Sequence, residues 1–135
     1  MDKYIFSAIF EPGEHKGYTV TFPDLPGCVT EGGTLEEALL MAREALELHL
    51  YGMEEDGDLI PCPTPPENVH VPAGAFVTPV EAWMSPVREE MANKAVKKTL
   101  TLPKWLNDIA ERENVNFSQI LQSALKQYLG IRERR

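Results

Sequence analysis

At 135 residues, the chain has the length of one ordinary domain, or of two small ones that share a core or dimerise. Its hydrophobic fraction of 43% is typical of a globular protein, and no run approaches the roughly 18 apolar residues of a membrane span. The N-terminus alternates like a strand and lacks a cleavage site, so we expect no secretion signal and a cytoplasmic protein. Cys28 and Cys62 are too few for a disulfide framework and are expected to be reduced.

The net charge of −8 is divided unevenly along the chain. Residues 1–90 contain 17 acidic and 4 basic side chains, a net charge of −13, whereas residues 91–135 contain 4 acidic and 9 basic ones, a net charge of +5. An acidic body and a basic tail predict two surfaces with different partners. The first domain is therefore assigned to 1–90 and the second to 91–135.

The first elements in chain order are predicted to be strands. Residues 3–11 and 17–22 are rich in β-branched and aromatic side chains, and the Pro- and Gly-containing segment between them predicts a β-hairpin. The turn 23–27 ends the second strand, because proline cannot donate to a β-ladder. Residues 28–31 then favour a short third strand.

A long amphipathic helix follows. Thr34 with Glu37 three residues later is typical of a capping box, and Gly52 is a predicted stop. The apolar stripe at helical spacing consists of Leu35, Ala38, Leu39, Ala42, Leu46 and Leu50.

An irregular, proline-rich loop is predicted over 54–74, and a strand over 75–84, where Pro79 requires an edge position or a bulge. The first part is therefore predicted to be β-β-β-α-β, an α+β layer with one helix on one small sheet. Residues 85–95 lose apolar periodicity and are expected to form a short helix or a linker at the domain joint.

The basic tail begins with an alternating segment over 96–103. Leu100 and Leu102 point to one face, while Lys97, Thr99 and Thr101 point to the other. A helix is predicted from Pro103 as its first residue, and a second from the N-cap Asn116 to the terminator Gly130. One strand and two short helices cannot bury their apolar faces alone, so the pattern predicts a two-fold dimer with paired strands.

Over residues 96–129, the order K-T-L-T-L-P followed by two capped helices resembles the ribbon-helix-helix family of DNA-binding proteins. The resemblance implies base contacts in the major groove from Lys97, Thr99 and Thr101. It also implies a phosphate at the backbone of the second helix start, at Asn116, Phe117 and Ser118. Many relatives carry Arg where Phe117 stands, which leaves Lys98 and Lys104 as the candidate phosphate-binding side chains.

Residues 22–38 (FPDLPGCVTEGGTLEEA) resemble the F-P-D-L-P-G-C-x-T-x-G-x-T-x-x-E-A stretch of the HicB antitoxins. This resemblance implies a partial ribonuclease-H-like first domain that binds a small basic HicA toxin, which is an mRNA-cleaving ribonuclease. It also implies that the protein represses its own operon. The fold class is accordingly α+β, with a partial RNase H-like β-β-β-α-β domain followed by a ribbon-helix-helix (β-α-α) dimerisation module. Candidate toxin-binding residues are Asp24, Glu31, Glu54, Glu55 and Asp56.

Two other functions stay open on the residues alone. The chain could be a stand-alone repressor whose first domain senses a ligand or oligomerises. A weak metal-dependent nuclease would need converging carboxylates, but Asp24 lies in a turn and Glu37 in a helix cap. The three histidines have no metal-site spacing, so no enzyme activity, metal or cofactor is expected. The ribbon predicts a homodimer, and a free sheet edge would allow a tetramer.

Overall fold

A computed structural model describes residues 1–132, and the chain divides into two compact units, Met1–Ala95 and a second one that starts at Val96. The boundary expected after residue 90 falls inside a helix that belongs to the first unit. The final three residues of the expected 91–135 domain lie outside the described residues. No helix within 1–132 is both long and apolar enough to cross a membrane.

The first unit contains a four-stranded antiparallel sheet. Its strands are β1 (Lys3–Pro12), β2 (Tyr18–Thr21), β3 (Val29–Gly32) and β4 (Phe76–Trp83), in the order β3-β2-β1-β4. The predicted hairpin and third strand are confirmed. Pro79 lies on β4, an edge strand in continuous register with β1, and pairs with Ser7 of β1. The edge position therefore accommodates the proline without a bulge.

The long helix α1 (Leu35–Asp56) begins with the predicted cap. Thr34 Oγ1 accepts a hydrogen bond from the Glu37 amide at 3.1 Å. The carboxylate of Glu37 accepts one from the Gly33 amide at 3.2 Å, one residue before the N-cap donor of a standard capping box. The first bond satisfies the Glu37 amide, which the first helical turn leaves without a partner, and the second satisfies the Gly33 amide just before the helix.

The predicted end of α1 at Gly52 is wrong. The helix continues to Asp56 and ends at Gly57, whose φ of 73° is the left-handed conformation that glycine adopts easily. The predicted loop therefore begins at 57 rather than 54. A glycine inside a helix costs about 1 kcal/mol relative to alanine, and a Cβ on Gly52 would meet no atom within 4 Å. Packing does not explain this residue.

The core lies between α1 and one face of the sheet. Small residues Ala38 and Ala42 are fully buried and let the helix approach the sheet closely, while Leu46 and Leu50 fill the space further along. Leu35 and Leu39 were predicted on the same stripe but are 44% and 40% exposed, so the buried stripe is narrower than the apolar one. The core side chains from the strands include Phe6, Phe10, Val20, Val80 and Ala82.

Helix α2 (Met84–Asn93) confirms the short-helix alternative for 85–95. Its N-cap, Trp83, supplies no capping side chain. Instead, Asp2 accepts hydrogen bonds from the Ser85 amide at 3.0 Å and from Trp83 Nε1 at 3.1 Å. A carboxylate from the start of the chain thus caps a helix more than 80 residues later.

The second unit contains α3 (Lys104–Arg112) and α4 (Phe117–Leu129). Pro103 is the N-cap of α3 rather than its first residue. The predicted cap of α4 is confirmed, because Asn116 Oδ1 accepts from the Gln119 amide at 3.0 Å, and Gly130 ends the helix with a φ of 68°. Residues 96–103 form no strand within the single described chain, so the intermolecular ribbon stays a prediction.

Gly32 provides a test of the close approach between β3 and α1. A Cβ at Gly32 would lie 2.6 Å from the Ala38 Cα, and helix backbone cannot move aside locally. We expect Gly32→Ala to lower the free energy of unfolding by about 1–3 kcal/mol, measured by urea denaturation. Gly33→Ala is the matched control, because its Cβ would meet only the flexible Glu37 carboxylate. Equal losses for both variants would contradict the steric argument.

Candidate functional site

The candidate DNA-contacting side chains of the tail are all exposed. Lys97, Lys98, Thr99 and Thr101 lie in the segment before α3, and none makes a side-chain hydrogen bond or ion pair within residues 1–132. Lys104 differs, because its Nζ lies 2.8 Å from Asp108 Oδ2 one turn later in α3. Such an exposed pair is weak, so Lys104 retains most of its availability for another anion.

The start of α4 has the features of an anion-binding helix terminus. The Asn116 side chain is occupied by the Gln119 amide, and Ser118 Oγ accepts from Gln122 Nε2 at 3.0 Å. The backbone amides of Phe117 and Ser118 have no protein acceptor in the described part of the chain. Two amide donors and the positive end of the helix dipole therefore face solvent.

The helices of the second unit leave their apolar faces uncovered. No residue of α3 or α4 is buried. Phe117 and Ile120 are 43% and 54% exposed, and their neighbours on the two helices are similar. Monomeric proteins rarely leave a continuous apolar surface of this kind in water. The exposed side chains also include Leu102, Trp105, Leu106, Ile109, Leu125 and Tyr128.

Asp24, a candidate toxin-binding residue, is already engaged within the first unit. Its two carboxylate oxygens accept from the backbone amide and the hydroxyl of Thr64, each at 2.7 Å. The Thr64 carbonyl in turn accepts from Ser7 Oγ on β1 at 2.9 Å. Asp24 thus ties the turn after β2 to the proline-rich loop. No sequence signal identifies Thr64 as its partner, because the two residues are 40 positions apart.

Glu54 is also engaged internally. Its carboxylate accepts from Arg88 of α2, with Nε and Oε1 2.9 Å apart, and Arg88 also donates to the Met1 carbonyl at 2.7 Å. The hydrogen bond from Arg88 lowers the pKa of Glu54. This pair joins α1 to α2 and to the N-terminus. The remaining candidates, Glu31, Glu55 and Asp56, are exposed.

The structure brings Asp24 and Asp56 to one cleft of about 700 Å³ beside the C-terminal part of α1. Leu48, Gly52, Asp58 and Leu59 also line this cleft, and sequence reasoning did not group them. The sequence signal for this cleft was Gly52 inside the helix, which the sequence alone suggested as the end of the helix.

Glu31 lies on β3 opposite Thr19 and does not line the cleft. No group of three His, Cys, Asp or Glu residues suited to a metal occurs within 1–132.

A four-stranded antiparallel sheet with helices is a fold shared with a solved toxin–antitoxin complex. The chain is similar to a chain of the Streptococcus pneumoniae complex, with a TM-score of 0.61 and 24% identity over 93% of this chain and 99% of that one. The match to the model of the HicB-like antitoxins of bacterial toxin–antitoxin systems covers residues 6–125. The chain belongs to this family.

Two curated relatives match different lengths of the chain. Antitoxin HicB 1 of Photorhabdus laumondii is 45% identical over 60 residues, which is 44% of this chain and only 39% of that antitoxin. An uncharacterized 14.9 kDa protein of Haemophilus phage HP1 is 38% identical over 93 residues, 67% of each chain. The chain therefore spans about two-fifths of the HicB 1 antitoxin and two-thirds of the phage protein.

The Glu54–Arg88 pair predicts a pH-dependent contribution to stability. The pKa of Glu54 is lowered from 4.5 in the folded state, so the contribution is present above pH 4.5 and is lost as the pH falls through the folded pKa. Glu54→Gln should remove it, at a cost of less than about 1 kcal/mol near neutral pH because Arg88 is partly exposed. Chemical denaturation from about pH 7 to about pH 3 measures the difference. A constant difference between the two proteins over this range would contradict the assignment.

Proposed function

We propose that this protein is a non-enzymatic antitoxin that binds and inhibits a HicA-like mRNA-cleaving ribonuclease and represses its own operon. The family match over residues 6–125 carries the proposal and favours it over a stand-alone repressor. The charge of the first part supports the same partner. A toxin that binds RNA must present a basic surface, and a net charge of −13 over residues 1–90 is complementary to it.

The toxin-facing side chains are proposed to be acidic residues of the first unit that solvent still reaches. Glu55 and Asp56 at the end of α1 and Glu31 on the edge strand β3 are exposed. Asp24 and Glu54 take part chiefly by fixing the loop and helix that present them, since their carboxylates hold Thr64 and Arg88. Inhibition then follows from covering the toxin's catalytic and RNA-binding face.

The second unit is proposed to dimerise as a ribbon-helix-helix and to bind operator DNA. The exposed apolar faces of α3 and α4 support a dimer, since a two-fold partner is the simplest means of burying them. Lys97, Thr99 and Thr101 would contact base edges, and Lys98, Lys104 and the amides around Asn116, Phe117 and Ser118 would hold phosphates. Further pairing of dimers into tetramers would use an edge of the sheet.

Antitoxin activity is tested directly by mixing the full chain with the short basic protein encoded beside it. We expect stoichiometric loss of mRNA cleavage, because the acidic unit occupies the toxin's RNA-binding face. The assay measures the rate of cleavage of a defined mRNA as antitoxin is added. Bovine serum albumin at the same concentration controls for nonspecific charge effects, and undiminished cleavage would contradict the proposal.

Lys97→Ala combined with Thr99→Ala tests the separation of the two activities. Each base contact contributes about 1–3 kcal/mol, so the loss of two contacts should lower operator affinity at least about thirtyfold, while toxin inhibition stays unchanged. A salt-titrated shift assay on the DNA upstream of the gene measures binding, which should weaken steeply with salt. Lys126→Ala is the control, because it removes an equal charge from the last turn of α4. Loss of both activities together would mean that the units are not separable.

A further inference from the structure

Gly52 lies inside α1, four residues before the helix ends, and nothing in the fold explains its missing side chain. A Cβ there would contact no atom of residues 1–132 within 4 Å. Glycine is unfavourable in a helix, and alanine would fit this position without displacing any neighbour. The space above Gly52 is therefore open to solvent and accessible to an approaching molecule.

That space belongs to the cleft of about 700 Å³ between α1, the turn after β2 and the segment that follows Gly57. Large apolar side chains flank the glycine. Leu59 is 94% exposed, and Leu48, one helical turn before Gly52, is 58% exposed. Covering such exposed leucines with another apolar group is favourable, because it removes apolar surface from water. We call this site the Gly52 cleft, lined by Leu48, Gly52, Asp56, Asp58 and Leu59.

The charge on the cleft has one sign. Asp56 and Asp58 are exposed, and their carboxylates have no hydrogen-bond or ion-pair partner within residues 1–132, although the Asp58 backbone amide donates to the Met53 carbonyl at 2.9 Å. Among the described residues 1–132, no Lys or Arg lines the cleft, and His49 is the one lining residue able to carry a positive charge. Asp24 adds a third carboxylate, although Thr64 occupies its oxygens. The cleft therefore favours a cation and disfavours an anionic ligand such as nucleic acid.

We propose that the Gly52 cleft receives a Lys or Arg side chain from a basic segment of the toxin. The methylene stem lies over Gly52 between Leu48 and Leu59, and the cationic head group meets Asp56 and Asp58. Long basic side chains combine these two needs, because their stems bury on apolar surface while their head groups stay polar. The proposal rests on the antitoxin function and identifies the part of the acidic unit that anchors the partner.

Filling the cleft is the sharpest test. Gly52→Met places a long apolar side chain where the basic stem would lie, and methionine is a much better helix former than glycine. We expect the melting temperature of the full chain to stay constant or rise, while the dissociation constant for the toxin rises at least tenfold. Gly52→Ala should raise the melting temperature with a smaller loss of affinity. Calorimetric titration with a catalytically inactive toxin measures binding.

A charge variant gives a second measurement that does not depend on the helix. Asp56→Asn with Asp58→Asn should raise the dissociation constant at least tenfold and reduce its salt dependence. The control is Glu36→Gln with Glu44→Gln, which removes two charges from exposed positions of α1 that do not line the cleft. Equal effects of the two pairs would indicate general attraction to an acidic protein and would overturn the anchor.

The outcomes distinguish a failure of the Gly52 cleft as an anchor from a failure of the antitoxin function. If the unaltered chain inhibits the toxin and Gly52→Met inhibits it equally well, the anchor is wrong and the antitoxin function stands. If the unaltered chain does not bind the toxin, both are wrong. If Gly52→Met changes the oligomeric mass of the chain without changing toxin affinity, a second copy occupies the cleft, and the proposal is overturned.

Discussion

The close approach of α1 to the sheet is the constraint on which the first unit depends. It requires small residues on both sides of the contact, with Gly32 at the end of β3 and the fully buried Ala38 and Ala42 on the helix. Beyond them, Leu46 and Leu50 fill the wider space between helix and sheet. Because the helix is fixed at its start, its last turns extend to the edge of the core, where they support the Gly52 cleft and the pair between Glu54 and Arg88.

The second unit differs from the first because its helices bury no side chain. Helix α4 is capped by Asn116 and ends at Gly130, whereas α3 has no side-chain cap. Capping satisfies backbone donors but contributes only about 1 kcal/mol per cap, which cannot offset the entropy of ordering nearly forty residues. In the proposed dimer, the partner surface would supply the missing burial.

The sequence predicted the elements whose signals are local. The β-branched and aromatic content of residues 3–11 and 17–22 predicted β1 and β2, and the pairs Thr34 with Glu37 and Asn116 with Gln119 predicted the starts of α1 and α4. Gly52 was misinterpreted because a glycine near the end of a helical pattern usually terminates it. Only the left-handed φ of Gly57 distinguishes the true end.

Sequence patterns could not predict the polar contacts between residues that are far apart in the chain. Asp2 caps α2 because β1 and β4 pair, and Asp24 meets Thr64 because the proline-rich loop folds back toward the turn after β2. Each of these carboxylates appears in the sequence as one more exposed acid. Composition therefore predicted that the surface of the first part is negatively charged. It could not distinguish the acidic residues that stabilise the fold from those that face solvent.

This separation explains how a body with a net charge of −13 over residues 1–90 stays folded. Asp2, Asp24, Glu37 and Glu54 each accept hydrogen bonds from backbone or side-chain donors, so their charges contribute to stability. The exposed carboxylates of Asp56 and Asp58 have no such partner within residues 1–132 and repel one another. A basic partner that binds only the folded chain removes this repulsion and stabilises the fold by linkage. If the proposed toxin is that partner, the electrostatic cost of the free chain is a part of the free energy that favours the complex.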